Sequence, residues 1–361
     1  MNILPVVVSR RGLPRFGRKL ARGCPITLAY LGGSITEAFP DGYAFQTTAW
    51  FKSRYPGIAF TEVNAGIGGT GSDLGAYRLR QDVLRHKPDL LLVEFAVNDS
   101  AVPDVQPAME GIVRHTLHES GGECEIAFIY TLAQSLLDDL HAERLPPAAQ
   151  LHDAVAEHYG LTSVNVALDV ARRLKRGELA WADFAHDACH PVAAGHRLYC
   201  ETLTKSLQAA CAVPEVPHHV PAPMIGDPWE NGDMIPISPQ ASFPGWTYRP
   251  LVKRGGWDCF DGLFESNTVG SEASFEFCGT SVGLLYQLGM ESGDLLWAVD
   301  DGPLAPARVF DDYADKFWRP SYRILAQGLT PGPHRLRIQV GPDMDPRSRG
   351  HWVKLASLMV R

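Results

Sequence analysis

Four stretches in the first part of the chain are mainly apolar rather than strictly alternating: ITLAYLG (26–32), IAFTEVNAG (58–66), DLLLVEFAVND (89–99) and IAFIYTL (126–132). A shorter fifth, LTSVNVA (161–167), follows them. A strand with one face in water alternates polar and apolar residues, whereas an unbroken apolar run has both faces covered, which is the mark of a parallel sheet. Segments with helical spacing lie between the runs, at 45–55, 73–86, 146–159 and 195–210. Strand and helix in alternation predict a three-layer α/β domain.

The pattern changes after residue 212. Pro214, Pro217, Pro221, Pro223 and Pro228 crowd one segment, read as a linker or a wrapping loop. Helical spacing then disappears, and ASFEFCG, SVGLLYQLG, GDLLWAVDDG and HRLRIQVG are short strand candidates, with Pro331 to His334 as a turn. The expected organisation is an α/β domain at 1–212, followed at 213–361 by the proline-rich segment and an all-β sandwich or jelly roll.

Length agrees with two domains, since 361 residues exceed what one core usually takes. The net charge of −8 gives no global attraction to nucleic acid or anionic membranes, so neither is expected as a partner. No apolar run approaches the roughly 20 residues that span a bilayer. The seven cysteines show no CxxC spacing and read as small core hydrophobes in a reducing compartment. The first 36 residues lack Asp and Glu, and Ser9-Arg10-Arg11 hints at a twin-arginine signal. No apolar stretch follows those arginines, so a cytoplasmic protein is expected.

The candidate chemistry sits where the runs end. Gly32-Gly33-Ser34-Ile35-Thr36 follows the first, Asn64 to Gly71 the second and Val97-Asn98-Asp99 the third. Ligands of open α/β sheets bind at the carboxyl ends of the strands. Serine needs a base and an oxyanion site before it becomes a useful nucleophile. Downstream, Asp187-Ala188-Cys189-His190-Pro191 places an acid and a histidine on one loop, close enough for the acid to fix the imidazole tautomer.

GGSIT, NAGIGGTG, VND and DACHP, in that order, resemble the four blocks of the SGNH/GDSL hydrolases, a family of serine esterases. The resemblance runs from about Ile26 to Leu207. It implies a three-layer, flavodoxin-like parallel-sheet domain that works without cofactor or metal. Ser34 would be the nucleophile, His190 the general base and then acid, and Asp187 its orienting partner. The Ser34 and Gly69 N–H groups and the Asn98 side-chain amide would form the oxyanion hole. Two features depart from the common pattern: Gly33 replaces the Asp of GDS, and consecutive glycines leave Gly68 as an alternative donor to Gly69. Members with GGSIT and a β-sandwich resemble carbohydrate esterases that remove acetyl groups. The expected substrate is a small-molecule or oligosaccharide ester, imported oligosaccharides fitting a cytoplasmic enzyme.

Plainer readings compete. Asn98 is also a natural capping residue, and Gly69 a backbone necessity in a tight loop. His186, Asp187 and His190 resemble metal ligands, but no further ligand volunteers, so no metal is expected. His186 and His196 read as surface or packing residues, Glu94 as structural, and Arg78 and Arg80 as solvated. Trp246, Trp257, Tyr286, Trp297, Trp318 and Trp352 suit sugar stacking, with sandwich core the ordinary reading. The alternatives in function are a lipase or acyl-thioesterase of the same family, a carbohydrate-binding protein with a vestigial hydrolase domain, and a sandwich that mediates homo-oligomers.

Overall fold

Six strands build the first sheet of the computed structural model, which describes residues 3–216 and 219–361; Pro217 lies outside the described residues. In chain order they are β1 (Val7–Val8), β2 (Ile26–Gly32), β3 (Phe60–Gly66), β4 (Leu90–Glu94), β5 (Glu125–Tyr130) and β6 (Thr162–Asn165). The five apolar runs are β2 to β6. All their pairings are parallel, and only the two-residue β1 runs antiparallel, on β6. A strand that short leaves no periodic signal, which is why the sequence does not announce it.

The sheet order is β1-β6-β5-β4-β2-β3, so the chain reverses its winding between β2 and β4. Apart from β1 this is the flavodoxin-like order, whose ligand crevice opens at that reversal. Among the described residues ten α-helices complete the unit: α1 (Pro14–Arg22), α2 (Ser34–Glu37), α3 (Tyr43–Arg54), α4 (Ser72–Asp82), α5 (Val105–Glu119), α6 (Leu137–His141), α7 (Pro147–Tyr159), α8 (Val166–Lys175), α9 (Trp181–Phe184) and α10 (Ala193–Cys211). α1, α3, α8 and α10 cover one face of the sheet, and α4, α5 and α7 pack together on the other. The central strands β2, β4 and β5 are mainly apolar for that reason. α5 has no exposed stripe to reveal it: eleven of its fifteen residues are buried.

The described chain divides into compact units at Met1–Asn231 and Gly232–Arg361. The proline-rich segment therefore belongs with the first unit, as a wrapping loop. Glu110 and Arg114, one turn apart on α5, are buried charges that need partners. The segment supplies them. Glu110 accepts from the N–H of Ile225 at 2.9 Å, and Arg114 donates to Pro221 O at 3.0 Å and to Glu230 at 2.6 Å. Trp229 lies so close to α5 that a Cβ on Gly111 would stand 2.5 Å from its backbone.

The named strands of the second unit pair only antiparallel: β7 (Asp233–Pro236), β8 (Thr247–Pro250), β9 (Gly262–Ser266), β10 (Glu272–Leu288), β11 (Leu295–Val299), β12 (Ala305–Ala307), β13 (Arg319–Val340) and β14 (Val353–Val360). ASFEFCG and SVGLLYQLG are one long strand, β10, and the turn expected at Pro331 to His334 lies inside β13. There the ladder jumps from Gly279↔Gly332 to Ser281↔Gln327, a bulge where Gly332 takes a φ of 150°. Past the bulge each long strand gains a different neighbour: β14 pairs with Val282 to Tyr286, and β11 with Leu336 to Val340. The two halves close on one core that includes Phe264, Val282, Leu284, Leu336, Ile338 and Leu355, which makes the unit a sandwich.

All seven cysteines are free, but only Cys124 and Cys200 are buried, and Cys278 is exposed. Among the described residues no helix is long and apolar enough to cross a membrane. In the second unit Trp246 and Tyr286 are core residues, whereas Trp257 is exposed.

Candidate active site

β2 ends at Gly32, and the chain turns at once into α2, whose first residue is Ser34. First-turn N–H groups have no acceptor within their own helix, so the Ser34 N–H is available to a ligand. The turn tolerates no side chain at either glycine. A Cβ on Gly32 would stand 2.2 Å from Thr36 Oγ1, and one on Gly33 2.0 Å from Asn98 Oδ1. Gly33 in place of Asp is thus matched to its surroundings, because the Asn98 amide occupies the space that a larger residue would need.

His190 arrives on the loop between α9 and α10. An antiparallel bridge between Ala185 and Pro191 closes this loop, and Gln134 N–H donates to Ala188 O at 2.7 Å. His190 Nε2 lies 2.8 Å from Ser34 Oγ, and Nδ1 lies 2.7 Å from Asp187 Oδ2. The other Asp187 oxygen accepts from the N–H groups of Cys189 and His190, at 2.8 and 2.7 Å. Partial burial alone would raise the Asp187 pKa. The two N–H donors and the imidazole outweigh it and hold the carboxyl well below the usual range. For His190, contact with the Cys189 sulfur raises the pKa, burial opposes, and Asp187 raises it further, to about 9. A thiol is a weak acceptor and a carboxylate a strong one, so the Asp187 bond is the part of this rise that a substitution tests.

The loop after β3 lies against the same turn. Gly68 donates its N–H to the Glu37 carboxylate at the end of α2. That bond removes Gly68 from the candidate oxyanion donors and leaves Gly69, an exposed residue at φ 77°. Asn98 sits in the turn after β4, where its own N–H and that of Asp99 donate to Phe95 O, at 3.0 and 2.8 Å. Its side-chain amide stands over Gly33. The expected residues therefore come from the ends of β2, β3 and β4, around the reversal point, together with the His190 loop.

Other residues hold these loops in register. Glu94 is buried and accepts from Thr36 Oγ1 at 3.0 Å and Thr131 Oγ1 at 2.6 Å, which confirms a structural place beneath the turn. Burial raises its pKa, and the two threonine bonds oppose that rise. Arg78, expected in solvent, is fully buried. It donates to Ala65 O at 2.6 Å and to Gly32 O at 3.0 Å, the carbonyls where β3 and β2 end. Gly32 O also accepts from the Ile67 N–H at 3.1 Å, so the buried guanidinium adds a second donor there and braces the ends of both strands. Arg80 remains exposed and pairs with Glu119. His196 is buried against Tyr43, whose N–H it accepts at 3.2 Å, and burial lowers its pKa to about 4.

Asp99 and His152 form a pairing that the sequence does not announce. His152 Nε2 lies 2.8 Å from Asp99 Oδ2, and Asp99 Oδ1 accepts from the Ser72 N–H at 2.9 Å. One carboxylate thus ties the Asn98 turn to the start of α4, directly after the Gly69 loop. The only sequence signal was the Asp beside Asn98 in VND; His152 lies 53 residues away.

His186, Asp187 and His190 bring three donor atoms within 4.8 Å of one another. Both His190 nitrogens already face Asp187 and Ser34, so a cation would have to displace one of those bonds. His186 is exposed and stacks on the His190 ring at 6.0 Å.

Residues 30–198 match the GDSL-like Lipase/Acylhydrolase family. The fold of the whole chain is similar to that of a two-domain esterase, CEX, active on acetylated mannans. In its crystal with mannopentaose the TM-score is 0.84 at 21% identity, over 98% of this chain and 96% of that one. For a second crystal structure of CEX the TM-score is 0.85 at 21% identity, over 98% and 97%. No curated protein matches the chain by sequence.

Proposed function

We propose that the chain, whose residues 30–198 match the GDSL-like lipase/acylhydrolase family, is a carboxylic ester hydrolase that removes acetyl groups from carbohydrates. Ser34, His190 and Asp187 act as the triad. The observation that carries this reading is the relay from Ser34 Oγ through His190 to Asp187, at 2.8 and 2.7 Å, at the carboxyl ends of the strands. The fold shared along the full chain with an esterase active on acetylated mannans supports the choice of substrate.

In this mechanism His190 Nε2 takes the Ser34 proton as Oγ attacks the ester carbonyl. The N–H groups of Ser34 and Gly69 and the Asn98 amide hold the oxyanion. The imidazolium, steadied by Asp187, gives its proton to the leaving sugar hydroxyl. Water, deprotonated by His190, then releases acetate from the acyl-enzyme. Every proton moves at His190, and no cofactor enters. Free cysteines fit a reducing compartment and support a cytoplasmic enzyme that acts on imported oligosaccharides.

The test compares the full chain with Ser34→Ala, with chelator present, on p-nitrophenyl acetate, a longer-chain p-nitrophenyl ester and an acetylated manno-oligosaccharide. Acetate release by the wild type should persist, and the variant should lose about 10⁴-fold or more in kcat. Retained activity in Ser34→Ala would sink the nucleophile assignment.

A further inference from the structure

The loop after the Ser34 turn and the first turn of α3 carry two rings with no part in the chemistry above. Phe39 is 77% exposed and Phe45 41% exposed. They meet edge to face, with centroids 5.8 Å apart and planes at 80°. A single exposed aromatic is ordinary on a protein surface, but a packed pair five and eleven residues beyond Ser34 is a candidate contact surface.

The pair is firmly mounted. Ala38 N–H donates to Ser34 O at 3.2 Å, which fixes the start of the loop to the nucleophile's own residue. The loop then folds so tightly that a Cβ on Gly42 would stand 2.0 Å from Ala38 O. At its far end Gln46 donates to Asp41 O at 2.6 Å and to Ala193 O at 3.2 Å, three residues beyond His190. The two rings are therefore tied to both the Ser34 turn and the His190 loop. A surface ordered in advance loses little entropy when a ligand settles on it.

The shape of the surface selects its ligand. A long acyl chain needs an enclosed apolar channel, whereas an open aromatic face suits a flat ligand whose edge or face carries C–H groups. The negative π-face attracts positively polarised C–H bonds, and a pyranose ring offers a whole face of them while its hydroxyls point to water. We propose that Phe39, backed by Phe45, is a stacking platform for the sugar ring that carries the acetyl group, and sets specificity for the alcohol part of the ester. This rests on the acetylesterase reading of Ser34.

The test uses the full chain and the variants Phe39→Ala, Phe39→Trp and Phe45→Ala. The substrates are acetylated mannopentaose, ethyl acetate (no ring) and ethyl hexanoate (a longer chain). Phe39→Ala should raise KM for the oligosaccharide roughly tenfold with kcat little changed, the scale of one lost aromatic contact. Phe45→Ala should act in the same direction but less. Phe39→Trp should restore the wild-type KM, and ethyl acetate hydrolysis should stay unchanged in every variant. An unaltered KM for the oligosaccharide overturns the platform, as does an equal loss on ethyl acetate or a selective loss on ethyl hexanoate. Failure of the wild type on all three esters would instead remove the acetylesterase reading, and the platform with it.

Discussion

The first unit holds two His–Asp pairs of nearly equal length, built for opposite purposes. His190 and Asp187 meet at 2.7 Å with side chains 38% and 45% exposed, and the second His190 nitrogen faces Ser34 Oγ. His152 and Asp99 meet at 2.8 Å with side chains 1% and 4% exposed, and the second Asp99 oxygen accepts a backbone N–H. The exposed pair can gain and lose a proton because water and Ser34 lie beside it. The buried pair cannot lose a partner cheaply, since a stranded charge in a dry interior costs several kcal/mol. In the proposed mechanism the same hydrogen bond serves chemistry in one place, while in the other it ties loops together; exposure and the third partner distinguish the two.

Breaking the exposed pair should have the largest effect. Asp187→Asn preserves shape but removes the charge that orients and stabilises the imidazolium, so kcat should fall by about 10³- to 10⁴-fold. Thermal unfolding should barely change, because both side chains face solvent, and steady-state kinetics beside a melting curve checks both points. An activity loss below tenfold would show that Asp187 is not the orienting acid.

Breaking the buried pair should invert that pattern. His152→Leu leaves the Asp99 carboxylate buried without its ring partner, at a cost of about 3 kcal/mol in stability, read as a lower midpoint in denaturant. Through the loosened Asn98 turn kcat should fall roughly tenfold, at nearly constant KM. A variant with full stability would show that this pair does not hold the loops.

The pH profile, which needs no substitution, is the most diagnostic. Only neutral His190 accepts the Ser34 proton, and its pKa is raised to about 9. As pH falls below that value, kcat/KM should drop about tenfold per unit, with a midpoint above the ordinary imidazole value of about 6.5. Asp187→Asn should move the midpoint of its residual activity down. A wild-type midpoint at or below 6.5 would show that Asp187 and Cys189 do not raise the imidazole pKa.

Most of the first sheet was legible in the chain because a strand covered on both faces is mainly apolar: β2, β4 and β5 show this, whereas edge strand β3 and the short β6 carry polar residues among the apolar ones. The local site motifs were legible too: Asp187 and His190 share one short loop, and Ser34 follows two glycines at a strand end. What escaped depends on distant partners. Arg78 looks like any helical arginine until the carbonyls of Gly32 and Ala65 converge on it. The proline-rich segment looks like a linker until Glu110 and Arg114 are seen to need it. Prolines and glycines within β13 look like a turn, because one strand that serves both layers of a sandwich carries its bend as a bulge.

The sequence by itself determined the parallel sheet, the β-rich second unit and the identity of the candidate reacting groups, since these follow from periodicity and from residues close together in the chain. Only the tertiary structure decided that Ser34 meets His190 across 156 positions, that Glu37 takes Gly68 and leaves Gly69, and that Asn98 fills the space over Gly33. The physical reason is range. Propensity and patterning act over a few residues, whereas a hydrogen bond between distant segments exists only after the core has packed and brought the strand ends together.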